Sequence, residues 1–234
     1  MKNLVRIRFL QNTKEDIYLV FCIERQAFVD EPHETRGGLE VLLEHGSVMA
    51  LDEPEIKAVV ESITLQKLLG LNLEKLPKDS PLRMVWENDK KNYVLRNIIR
   101  DYPGFSNYHY AHGIAVSLKG FGYGSAMLAE EIKKVVREDL MFGFVLSKPP
   151  NLRSIRMSLG QGSILDKIED MVYEAGKPYF RIVYNGKVVF DERFAQKGVV
   201  LIGDYLSEMR ELLKEGFIGV RFEQPSLLYF RKKT

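Results

Sequence analysis

His112-Gly113-Ile114-Ala115-Val116-Ser117-Leu118-Lys119-Gly120-Phe121-Gly122-Tyr123-Gly124-Ser125-Ala126-Met127-Leu128 reads as a strand that runs through a glycine-rich turn into a helix. Gly113 to Leu118 is an apolar strand segment. Gly120, Gly122 and Gly124 then fall at alternate positions, where the missing Cβ lets the backbone bend sharply and come close to a ligand. Helical spacing starts at once, with Met127, Leu128, Ile132, Val135 and Val136. The first amides of a helix have no intrahelical acceptor and carry the positive end of the macrodipole, so such a turn suits a phosphate or pyrophosphate. Lys119 adds a cation at its mouth.

Two phosphate loops are excluded by spacing. A Walker loop closes with Lys-Ser/Thr, which is missing here. A dinucleotide fingerprint is Gly-x-Gly-x-x-Gly, and here the third glycine comes one residue early. The stretch resembles the acyl-CoA loop of the GNAT superfamily of N-acetyltransferases, Gln/Arg-x-x-Gly-x-Gly/Ala. Lys119, Gly122 and Gly124 fall on its fixed positions, Lys119 in place of Gln or Arg. Ile114 takes the family's strand Val, and Val116 stands where Pro is frequent. A second segment, Asn151-Leu-Arg-Ser154-Ile155-Arg-Met157-Ser158-Leu-Gly160-Gln-Gly162, is similar to the family's later helix, Asn-x-x-Ser/Ala-Ile-x-Leu/Met-Tyr. Asn151, Ser154, Ile155, Met157 and Gly162 match in order, whereas Ser158 replaces the Tyr.

The resemblance implies an α/β (α+β) fold with a mixed, mostly antiparallel central sheet flanked by helices. Residues 1–195 would form the acyl-CoA-binding domain, with an insertion at 67–108, and 196–234 a C-terminal extension. It also implies acetyl-CoA as co-substrate and an amine acceptor that attacks the thioester directly. Backbone and side chains of Ile114, Val116, Leu118, Lys119, Gly120, Phe121, Gly122, Tyr123, Gly124, Ser125, Asn151 and Ser154 would bind the cofactor. The attacking amine must lose a proton; Glu61 and His112 are the candidates, with Tyr123 for the leaving thiolate in place of the missing Tyr. A non-catalytic acyl-CoA-binding module acting as sensor or scaffold is the alternative. A different phosphate- or nucleotide-binding protein would need only the strand, turn and helix.

Bulk properties are consistent with this. The 234 residues suffice for a substantial core, and the net charge of +2 gives no electrostatic footprint for nucleic acid. One cysteine, Cys22, excludes an internal disulfide and a Cys-based zinc cluster; its apolar helical context predicts burial. His33, His45 and His109 have no metal-ligand spacing with carboxylates. No apolar run reaches the ~18 residues of a membrane span, so a cytoplasmic protein without membrane partner is expected. The resemblance is compatible with a homodimer.

Periodicity gives the rest. Val5, Ile7 and Phe9 alternate as a half-buried strand. Thr13 caps a helix with Ile17, Val20, Phe21, Ala27 and Phe28 inward. Glu31-Pro-His-Glu34 is a polar break. A helix over 38–45 ends at Gly46 in the C′ position. Strands follow at 48–51 and 56–64 around Asp52-Glu53-Pro54. In the insertion, Leu65 to Leu76 is apolar, Trp86 reads as a buried anchor, and Asp89 to Ile99 reads as one helix. After Tyr110 come the fourth strand, a helix over 125–138 and a strand over 140–146. A hairpin of 168–173 with 179–184 leads through Asn185-Gly186 into Val188 to Phe190. A helix over 203–215, strands near 217–222 and 227–230, and a solvated Arg231 to Thr234 tail complete the chain.

Overall fold

The expected β-α-α-β-β order opens the chain: β1 (Arg6–Phe9), α1 (Lys14–Ala27), α2 (Arg36–His45), β2 (Ser47–Asp52) and β3 (Ile56–Thr64). The computed structural model describes residues 6–28, 33–52, 55–117, 119–135, 138–174, 176–186 and 190–232, without the side chains of 190–196 and 232. Val5, Glu31-Pro32, Glu53-Pro54, Leu118, Val136, Val188 and Lys233-Thr234 lie outside the described residues. The chain divides into two compact units, Met1–Asp139 and Leu140–Thr234.

In the first unit the insertion folds as α3 (Leu65–Gly70), α4 (Pro81–Asn92) and α5 (Arg96–Asp101), followed by β4 (Tyr108–Val116) and α6 (Tyr123–Lys134). The strands pair antiparallel in the order β1-β2-β3-β4. Ala58 and Val60 of β3 pack with Met49, Leu51 and Met127 on the face that α6 covers, joined by Tyr123 and Val116. Ser62 donates its hydroxyl to the buried Glu131 of α6, whose carboxylate also meets Lys134 at 2.8 Å. Strand alternation sends Val59, Glu61 and Ile63 to the opposite face, where α1 and α2 pack.

Several expectations are corrected. Phe9 is exposed, because β1 is an edge strand; the Lys134 ammonium lies 4.6 Å from its ring. The buried stripe of α1 is Asp16, Ile17, Val20, Ile23 and Glu24, while Phe21, Ala27 and Phe28 are half-buried. The buried face is rotated from the expected one, so it takes in the carboxylates of Asp16 and Glu24 and leaves the two phenylalanines at its border. Cys22 is half-buried for the same reason of helix rotation. Gly46 does not adopt a left-handed C′ conformation; its φ is −107°, and a methyl there would come 2.4 Å from the Ser62 carbonyl oxygen. Close approach of backbone to backbone therefore demands the glycine. The single helix expected over 89–99 is split: α4 stops at Tyr93, with φ 55°, and the buried Asp89 carboxylate accepts the amides of Leu95 and Arg96. Trp86 is buried as expected, with Lys90 3.5 Å from its ring.

The second unit contains β5 (Leu140–Leu146), α7 (Leu152–Gly160), β6 (Ile164–Glu169), β7 (Tyr179–Tyr184), β8 (Phe190–Val200), α8 (Tyr205–Lys214), β9 (Phe217–Glu223) and β10 (Ser226–Lys232). Its strand order is β5-β7-β6-β9-β10-β8. The first strand of the hairpin lies earlier than 168–173, since Gly162 has a positive φ and Ile164 already pairs with Val183. Ile155 and Leu159 of α7 and Tyr205, Met209 and Leu212 of α8 form one core with Leu165, Phe180, Val199, Leu227 and Tyr229. Gly219 lets β9 approach β6: a methyl there would come 3.2 Å from Leu165 Cβ.

Candidate functional site

Strand β4 carries both halves of the site in the first unit. At its C-terminal end the chain enters the glycine turn. Gly120 has φ 99° and Gly122, the N-cap of α6, has φ 79°. Both conformations are in the region that side chains rarely adopt. Nothing lies within 4 Å of a Cβ built at either position, so the turn is an open cradle, unplugged by described residues. Lys119, Gly120, Phe121, Gly122 and Ser125 are exposed, and Tyr123 and Gly124 half-buried. The Phe121 and Tyr123 rings stack with centroids 5.8 Å apart. Such a turn fits a pyrophosphate, the chemistry expected of these residues.

Further back along β4 lies a bulge. Glu61 pairs with Gly113 and Ser62 with Ala111, so His112 is the extra residue of β4. Bulges bend a strand and re-aim a side chain. Here His112 Nε2 comes 3.0 Å from Glu34 Oε2, and both side chains are almost wholly buried. His112 also meets the Tyr110 ring edge-on, at 5.6 Å.

Glu34 is the hub. Oε1 accepts from the Thr35 amide at 2.7 Å, the Thr35 hydroxyl at 3.1 Å and the Ser80 hydroxyl at 2.7 Å. Oε2 accepts from the Leu82 amide at 2.8 Å as well as facing His112. Ser80 is the N-cap of α4, its hydroxyl accepting from the Arg83 amide. The insertion is therefore built into this site. Burial alone would raise the Glu34 pKa; the His112 ring, the Ser80 hydroxyl and the Leu82 amide outweigh it and hold the carboxyl below its ordinary value.

Glu24 and Glu61 behave oppositely. Glu24 Oε2 accepts from the Glu34 amide at 3.0 Å. Burial, then the Glu34 charge, pushes Glu24 up to about 8. Burial, then Glu24 and Glu34, raises Glu61 well above the usual carboxyl range. Neither Glu61 oxygen has a hydrogen-bond partner of ordinary geometry among the described residues. Two buried carboxyls in one cluster oppose each other's ionisation, and the shift of Glu61 favours its protonated form.

The structure thus groups Glu61 and His112 and adds Glu24 and Glu34, which sequence reading missed. Glu24 looks like a polar interruption of a helix, and Glu34 like part of a loop. The one available signal was Gly37-Gly38 opening a helix, since a methyl at Gly38 would come 2.0 Å from Glu34 Oε1. Tyr123 belongs to a different neighbourhood, packed with Ile114 and Val116 on the α6 face. Asn151 and Ser154 lie in the second unit, where the Asn151 side chain caps α7 by accepting the Ser154 amide at 3.2 Å. Ser158 is half-buried on the same helix. No group of His, Cys, Asp and Glu suited to a metal occurs among the described residues. Nor is any described helix long and apolar enough to cross a membrane.

No family model and no curated protein matches the sequence. The fold is similar to solved structures of Arabidopsis thaliana NAA60, in complex with a bisubstrate analogue (TM-score 0.51, 14% identity, 76% of this chain and 97% of that one) and with acetyl-CoA (TM-score 0.50, 13% identity, 76% and 99%). It is also similar to an agmatine N-acetyltransferase mutant in its apo form (TM-score 0.50, 11% identity, 76% and 98%). With the mixed α/β architecture and the open glycine turn after β4, these likenesses lead to one conclusion: the chain has the fold of the GNAT-superfamily N-acetyltransferases.

Proposed function

We propose that the protein is an N-acyltransferase that moves an acetyl group from acetyl-CoA to an amine. The observation that carries this reading is the make-up of β4, with an open phosphate cradle after one end and a buried ionisable cluster at its bulge. At a rise of ~3.3 Å per residue, His112 lies roughly 13 Å from Val116, and the turn extends the path by several residues. That separation suits an extended pantetheine arm with its diphosphate at the turn and its thioester near the bulge. Lys119, Gly120, Phe121, Gly122, Tyr123, Gly124 and Ser125 hold the phosphates, and the β4 backbone around Ile114 and Val116 lines the arm.

In this reading the amine nitrogen forms the new C–N bond while the C–S bond breaks. Negative charge on the thioester oxygen meets a strand amide near the bulge, where ladder groups are left unpaired. The amine proton passes to His112, and Glu61, whose carboxyl is shifted toward its protonated form, supplies an acid. Thermal-shift measurements with CoA, ATP and NAD test the cofactor assignment. At a hundredfold excess over Kd, CoA stabilises by about 2.7 kcal/mol, roughly 5–10 °C for a chain of this size. A rise with ATP or NAD and none with CoA contradicts it. Ser158, in place of the family's Tyr, favours a second reading, a module that binds acyl-CoA without turnover.

A further inference from the structure

We infer that Glu34, anchored by the insertion, is a positioning residue that fixes the His112 ring as its Nε2–H tautomer and so leaves Nδ1 as the basic atom. For its catalytic consequence this rests on the acyltransferase reading; its structural content does not.

The argument is a count of donors. The Leu82 and Thr35 amides can only donate. The Ser80 hydroxyl oxygen accepts the Arg83 amide and the Thr35 hydroxyl oxygen accepts the Gly38 amide, so each turns its proton to Glu34. Four donors therefore converge on Glu34 before His112 is considered, and an ionised carboxylate has about four lone-pair sites. Three of these donors meet Oε1, and the Leu82 amide takes one site of Oε2, so the remaining site of Oε2 faces His112 Nε2 at 3.0 Å. Burial opposes ionisation, but these neighbours together with His112 outweigh it and hold the carboxyl below its ordinary value, which favours the carboxylate and makes Nε2 the donor to that site. In the neutral ring the lone pair is then on Nδ1. That atom is buried and has no hydrogen-bond partner among the described residues.

The bulge and the insertion have separate tasks here. The bulge turns the imidazole off the regular ladder, and α4, through Ser80 and Leu82, pins the carboxylate that sets its protonation. An incoming ammonium would lose its N–H proton to Nδ1, forming an imidazolium whose charge Glu34 balances. Glu34 from the α1–α2 link and the Tyr110 ring on β4 meet this ring directly, while Ser80 from the start of α4, Glu24 from α1 and Glu61 from β3 act on it through Glu34.

The decisive readout is the tautomer of His112 by long-range ¹⁵N–¹H correlation of the imidazole nitrogens, assigned by comparison with His112→Ala. In the wild type the neutral ring is expected as Nε2–H alone; an Nδ1–H ring or an even mixture overturns the proposal. In Glu34→Gln, whose amide can donate to Nε2, the Nε2–H form is expected to lose its dominance, and its persistence overturns the proposal. If that variant does not fold, the wild-type spectrum still decides. Ser80→Ala, which leaves the Oε2 contact intact, keeps the Nε2–H tautomer. In turnover, Glu34→Gln is expected to lose roughly 10²-fold in kcat, the scale of general acid–base assistance, with KM for acetyl-CoA little changed; a loss in KM alone overturns the proposal. If wild-type protein turns over no amine, the acyltransferase reading fails while the tautomer result stands by itself.

Discussion

Glu24 and Glu61 reach the same point of the sheet from a helix and a strand. A Cβ built on Gly113 would lie 3.8 Å from Glu24 Oε1 and 3.3 Å from Glu61 Oε2. The missing side chain of Gly113 makes room for two carboxyls, and burial, followed by the neighbouring carboxylates, raises both.

The first prediction is a stability that falls with alkalinity. Folded Glu24 titrates at about 8, against roughly 4.3 for an unfolded glutamate. Between these values the folded state binds more protons, so stability is fully present below the lower value and is lost as pH rises through the upper one. Glu34, depressed in the fold, acts in reverse and contributes stability that disappears as pH falls. Glu24→Gln should therefore match the wild type near pH 5 and exceed it at pH 9, by an amount on the order of a few kcal/mol. Urea unfolding of both proteins at the two pH values checks this; a constant difference contradicts it.

Gly38→Ala should destabilise. Glycine-to-alanine in a helix ordinarily gains up to about 1 kcal/mol. Here the new methyl would lie 2.0 Å from Glu34 Oε1 and 2.3 Å from its Cδ, so the carboxylate must leave its five donors. An overpacking cost of about 1–3 kcal/mol outweighs the propensity gain. Gly37→Ala is the control, since its methyl meets only the end of the Leu76 side chain, at 3.1 Å. Denaturation midpoints of the two variants should move in opposite directions or differ by more than 1 kcal/mol, about the propensity term itself.

Gly122→Ala should cost about 1–2 kcal/mol through its left-handed backbone, without a clash, because the space around it is open. The more telling effect is on ligand response. Relaxing this φ moves the amides that open α6, so the thermal shift given by CoA should shrink to a fraction of the wild-type value. An unchanged CoA shift would place the diphosphate elsewhere.

In the second unit, Tyr229→Phe should stabilise by about 1 kcal/mol. The Tyr229 hydroxyl is buried and has no hydrogen-bond partner among the described residues, and burial followed by the Glu208 charge raises its pKa far above the ordinary value. Removing the hydroxyl removes an uncompensated desolvation. Calorimetric melting distinguishes this gain from the loss expected if a partner were present.

The glycine turn was legible because its chemistry is local: spacing, positive φ and a helix start all lie within a few residues. So were β3, whose bounds match the reading, and α1, whose Thr13 cap accepts the Asp16 amide. The ionisable cluster was legible only in part. Glu61 and His112 alternate out of apolar strands and invite attention. Glu24 and Glu34 become functional candidates only through contacts across long sequence separations, such as Glu34 to His112, 78 residues apart. The break at Tyr93 escaped for a similar reason. Helical periodicity continues through it, and the Asp89 side chain that redirects the backbone acts six and seven residues away.

Acetyl-CoA consumption by wild-type protein and His112→Ala, measured against primary amines, polyamines and peptide N-termini, tests the central claim most directly. The account predicts thiol release that depends on at least one amine, with formation of the N-acetyl product, and a loss on the order of 10²-fold in the variant. Protein that binds CoA yet releases no thiol with any amine, or a variant as fast as the wild type, would contradict it.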